Sequence, residues 1–127
     1  MNEKSQGWLA TLFSWGKTRQ THESEKLYAA AIEVARRPVF YKDFGVQDTV
    51  DGRFDALSLV VILVMRRLKN CGDAGKEISQ QLFDSMFADM DLSLREMGAG
   101  DIGVSKRVRV MAEAFMGRLE AYVTALD

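Results

Sequence analysis

The sequence predicts an all-α fold, a single compact helical domain of about five main helices. Three observations lead there. Apolar residues recur at steps of three and four over most of the chain, the spacing that lines up one side of an α-helix. The longest apolar run, positions 56–65, contains only Ser58 as a polar residue and lies in a stretch, 51–69, with no turn signal. Strands are usually far shorter than that stretch, so it reads as a helix apolar on nearly all sides and hence the central one. No second segment reads as a strand that could pair with it.

Length and composition narrow the class. A chain of 127 residues fits one domain, burying roughly 65–70% of its unfolded surface. A net charge of −1 argues against a general polyelectrolyte role such as coating nucleic acid. The one cysteine, Cys71, excludes an internal disulfide and suits a reducing compartment. With His22 as the one histidine, most His-based catalysis, His-rich metal sites and stable haem ligation lack their ligands, and no cofactor is expected. There is no repeat, low-complexity segment or interior linker.

Residues 1–20 form an amphipathic or flexible N-terminal segment ahead of a domain over 21–127. Trp8, Leu12 and Trp15 fall on one helical face, with Lys4, Lys17 and Arg19 nearby. Two readings stay open, an interfacial helix at a membrane surface or a helix packed on the domain. A signal peptide is not expected, because the apolar core is short, Glu3 precedes it and no small-x-small cleavage site follows.

Ser24 to Arg37 is helical, with Leu27, Tyr28, Ala31, Val34 and Ala35 on one side and Arg36 and Arg37 at the end that favours cations. Pro38 stops it and can open a short helical turn, PVFYKDFG, ended by Gly45. After a loop, Asp48 or Thr49 caps the central helix. Asn70, Cys71 and Gly72 end that helix, and Asp73 is placed to cap the next.

The last third, 82–126, reads as a helical hairpin. Leu82, Phe83, Met86, Phe87, Met90, Leu94 and Met97 make one stripe; Val104, Val108, Met111, Phe115, Leu119, Tyr122 and Leu126 make the other. Gly98, Gly100 and Gly103 form the hinge between them. The seven methionines include Met86, Met90, Met97, Met111 and Met116 in or near these stripes. Unbranched thioethers can fill a core or give a pliable surface for apolar clients. The spacing leaves both readings open.

Chemistry is sparse. Asp84, Asp89, Asp91, Glu96 and Asp101 resemble a cation site, but an EF-hand loop opened by Asp89 would place Leu94 where glycine is required and lacks the closing Glu. An ion pair between Asp91 and Arg95 is expected instead. Cys71 has no histidine near it in sequence, no phosphate-loop pattern is present, and an enzyme is not expected. A helix-turn-helix-like nucleic-acid module is an alternative, with Lys106, Arg107 and Arg109 on its second helix. The bulky Leu94 before the turn and the acidic first half speak against it, and no DNA partner is expected.

Six stretches carry a family resemblance: ARRPVFY (35–41), GVQDTVDGRF (45–54), LFDSMFADMD (82–91), LREMGAGD (94–101), VSKRV (104–108) and AEAFMGR (112–118). In order and without large gaps, they resemble the ubiquinol–cytochrome c chaperone family, assembly factors for cytochrome b of the respiratory bc1 complex. The resemblance implies a non-enzymatic helical chaperone that holds newly made cytochrome b, with a small co-chaperone and the ribosome as further partners. It is similar to the bacterial members. The expected location is therefore cytoplasmic, with peripheral contact at the inner membrane, or the matrix side in a eukaryote. The family domain usually extends past the position of Asp127.

On this reading Phe83, Met86, Phe87, Met90, Met97, Met111 and Phe115 are the candidate client-binding residues. Lys106, Arg107 and Arg109 are the candidate contact to a charged partner such as the ribosome. The alternatives kept beside it are the nucleic-acid module and a membrane-surface scaffold working through the Trp-rich N-terminus.

Overall fold

Five helices account for most of residues 21–98 and 100–127, the residues that the computed structural model describes. The expectations for residues 1–20, with Trp8, Leu12 and Trp15, lie outside the described residues. The helices are α1 (His22–Ala35), α2 (Pro38–Lys42), α3 (Val50–Leu68), α4 (Gly72–Glu96) and α5 (Asp101–Leu126). Among the described residues there is no strand, and none of these helices is long and apolar enough to cross a membrane.

Each helix begins where the local chemistry permits. Thr21 caps α1: its hydroxyl accepts from the Ser24 amide, and the Ser24 hydroxyl accepts from the Thr21 amide at 3.2 Å. This reciprocal box satisfies amides that a helix start otherwise leaves unpaired. Pro38 is the first residue of α2, where its missing N–H costs nothing. Thr49 caps α3, its Oγ1 accepting from the Gly52 amide at 3.0 Å. The helix after Cys71 starts two residues earlier than expected, at Gly72, which places Asp73 in its first turn rather than at its cap.

The described residues fall into two compact units, one within Arg19–Leu82 and one whose described part is Phe83–Asp127. In the first, α1 packs on α3. Tyr28, Ala31 and Ala35 of α1 are buried, as are Phe54, Leu57, Val60, Val61, Ile62 and Met65 of α3. Val61, Ile62 and Met65 have no exposed surface at all, which explains the near-continuous apolar run. Of that run, Leu59 and Val64 are half-buried and Leu63 is exposed.

Two contacts in this unit depend on single atoms. A Cβ at Gly52 would lie 1.8 Å from the Gln47 carbonyl oxygen, so the start of α3 can meet its own lead-in loop only through glycine. The side-chain Oε1 of Gln81 accepts from the Thr21 hydroxyl at 2.9 Å and from the Thr21 amide at 3.2 Å. That pair ties the first turn of α1 to α4 through a fully buried glutamine. Between α3 and α4, Cys71 is a free, exposed thiol that donates weakly to the Arg67 carbonyl at 3.8 Å.

Candidate functional site

The second unit is the hairpin. The apolar stripe of α4 meets the stripe of α5 through three phenylalanines. The ring centroids of Phe83 and Phe87 lie 5.6 and 5.8 Å from that of Phe115, both near edge-to-face, and 4.7 Å from each other. This geometry is favourable for aromatic quadrupoles. Phe83 and Phe115 stand at similar separations from the turn, so α4 and α5 run as an antiparallel hairpin.

Gly98 makes the turn. Its φ of +89° is a conformation that side chains with a Cβ rarely adopt. Gly100 is the N-cap of α5 with ordinary backbone angles, and Gly103 lies inside the helix. The hinge is therefore shorter than the three glycines imply, and Gly98 alone has a conformational reason to be glycine.

The structure divides the seven residues read as a client surface. Met86 and Phe115 have no exposed surface; Phe83, Phe87 and Met111 are buried; Met90 is half-buried. They are interior because two complementary apolar faces in one hairpin cover each other, and leaving either open would expose a large apolar patch. Met97 differs. It follows the stripe by spacing, but α4 ends at Glu96, so Met97 falls in the turn and remains 67% exposed.

Across the turn, Ile102 is 87% exposed. The sequence reading did not single it out, although the spacing of Val104, Met111 and Phe115 places it off the buried face of α5.

Charges fix the tip. The Arg95 side chain donates from Nε to Asp91 at 2.9 Å and forms a close ion pair with Asp101 through Nη1. The contact to Asp91 is the expected one-turn pair; the contact to Asp101 closes the turn from the other helix. Hydrogen bonding to Asp101 and then to Asp91 raises the Arg95 pKa above the ordinary arginine value. Among the described residues, no three carboxylates, cysteines or histidines come together as metal ligands.

Lys106, Arg107 and Arg109 are all exposed. Helical spacing puts Lys106 and Arg109 on one face with Ile102 and Val110, while Arg107 points about 100° away from Lys106. Arg109 makes a long pair with Glu113, 3.8 Å.

These features define an all-α protein built around an antiparallel hairpin packed by phenylalanine and methionine, with an exposed apolar tip. Comparison with known proteins gives the family. The chain belongs to the ubiquinol-cytochrome C chaperone family, whose model matches residues 42–127. That range takes in α3, α4 and α5.

The chain is 25% identical over 97 residues to the ubiquinol-cytochrome-c reductase complex assembly factor 1 of Xenopus laevis, an alignment covering 76% of this chain and 48% of that protein. In structure it is similar to the Cbp3 homolog from Brucella abortus. The TM-score is 0.70 and the identity 37%, over 98% of this chain and 62% of that one. The chain thus spans about half the length of the first relative and less than two thirds of the second.

Proposed function

We propose that this chain is a non-catalytic assembly chaperone for ubiquinol–cytochrome c reductase that holds newly made cytochrome b until it is built into the complex. The observation that carries the reading is the family match over residues 42–127, which includes the whole hairpin. The naming of the Xenopus relative as an assembly factor of that complex supports it. The client surface in this proposal is the hairpin tip, where Met97 and Ile102 offer exposed apolar side chains beside the Arg95 pairs. The buried Phe83, Met86, Phe87, Met111 and Phe115 set its shape from within. The working location is the cytoplasm of a bacterium, or the matrix side of a mitochondrial membrane.

The test is affinity capture of the full chain from cells making cytochrome b, with wild type compared against Met97→Asp/Ile102→Asp. Both positions are exposed, so the variant keeps its helical circular dichroism and loses the client. Undiminished recovery with the folded double variant would remove the tip from the proposal. Absence of cytochrome b from wild-type captures would remove the client itself. On the same proposal, Lys106, Arg107 and Arg109 meet a charged partner, ribosomal RNA. Ribosome co-sedimentation that survives changing all three to Glu rules out that contact.

A further inference from the structure

We propose that the corner joining α1 to α2 docks on a bilayer surface rich in anionic phospholipid. Arg36, Arg37 and Lys42 are all exposed, and none of them is paired with a carboxylate among the described residues. Asp43 is the one carboxylate within 36–44, with Glu33 one turn earlier. Phe44, two residues after Lys42, is 68% exposed.

The ring is not on loose chain. The Phe44 amide donates to the Val39 carbonyl at 3.1 Å and the Val46 amide to the Phe40 carbonyl at 2.9 Å, closing the turn on both sides of it. Tyr41 anchors the corner to α1, its hydroxyl donating to the Ala35 carbonyl at 3.4 Å. Just past Phe44, a Cβ built on Gly45 would find no atom within 4 Å. The space beside Gly45 is therefore open.

An exposed aromatic on the same corner as three exposed cations fits a bilayer interface. The ring leaves water among the headgroups, while lysine and arginine reach lipid phosphates along their flexible stems. A peptide ligand would instead need a recess to receive its side chains. Single-stranded RNA would need open ring faces for stacking. Phe40 and Phe44 spend ring surface on each other, edge to face at 6.0 Å.

The experiment uses the full chain carrying Phe44→Trp with Trp8→Phe and Trp15→Phe, which leaves one indole, at the corner. With vesicles of phosphatidylcholine and phosphatidylglycerol, its emission moves to the blue and is quenched by brominated acyl chains; with phosphatidylcholine alone it changes little. Adding Arg36→Gln/Arg37→Gln weakens partitioning by roughly 25-fold, about fivefold per cation lost. In the native background, Phe44→Asp reduces flotation with the same vesicles. The proposal is overturned if vesicles bind with no emission change at the probe, which puts the contact elsewhere, for instance in residues 1–20. It is equally overturned if the arginine changes have no effect, or if single-stranded RNA or an acidic polypeptide moves the emission and vesicles do not.

Discussion

Phe115 shows how far a single side chain can be argued in this molecule. It is fully buried and touches two other rings, so Phe115→Ala removes both the transfer energy and the packing of the aromatic group. A loss of about 3–5 kcal/mol is expected, read as a lower urea midpoint with the slope unchanged. Ser58 works in the opposite direction. Its hydroxyl is buried without a hydrogen-bond partner among the described residues, and alanine is the better helix former. Ser58→Ala is therefore expected to raise stability by about 1 kcal/mol in the same measurement. The spacing of Phe83, Met86, Phe87, Met111 and Phe115 was enough to place them on common faces. It could not say what covers those faces, because periodicity records which residues share a side and carries no information about what lies opposite. Gln81 was invisible for a related reason: its partner Thr21 is distant in sequence, and a buried glutamine reads like any polar residue on a helix.

At the level of elements, the glycines separate into kinds that the sequence does not distinguish. Gly98 sits at φ +89°, and Gly98→Ala forces a Cβ into a strained conformation at a cost of about 1–2 kcal/mol. Gly103 lies within α5 with open space where a Cβ would stand. Gly103→Ala is thus expected to stabilise by about 0.5–1 kcal/mol. Thermal melts of the two variants in parallel should shift in opposite directions. The hairpin and its turn were legible from two stripes and a glycine cluster, and the Asp91–Arg95 pair from its one-turn spacing. The second partner of Arg95, Asp101, was not, because that contact exists only once the turn has brought α5 beside α4. The cap of α1 was also missed, since the helical pattern becomes visible at Ser24 while the capping hydroxyl sits earlier, on Thr21.

For the molecule as a whole, the all-α class followed from one long apolar run and the absence of anything for it to pair with as a strand. The interior of α3 bears out that reasoning: Val61, Ile62 and Met65 are wholly enclosed. Two interiors, one in each unit, imply an uneven map of local opening. Amides around 60–65 and around Phe115 and Leu119 should exchange most slowly. Those of the α1–α2 corner and of the hairpin turn near Met97 should exchange first. Hydrogen exchange read by mass spectrometry tests this, and uniform protection along the chain would contradict it. Cys71 has a practical consequence at this scale. With one thiol per chain, exposed between α3 and α4, a maleimide reagent modifies every copy at the same address without mutagenesis. A photoactivatable tag placed there would report which neighbours come near that corner, and any covalent dimer formed without reductant must be a symmetric link through it.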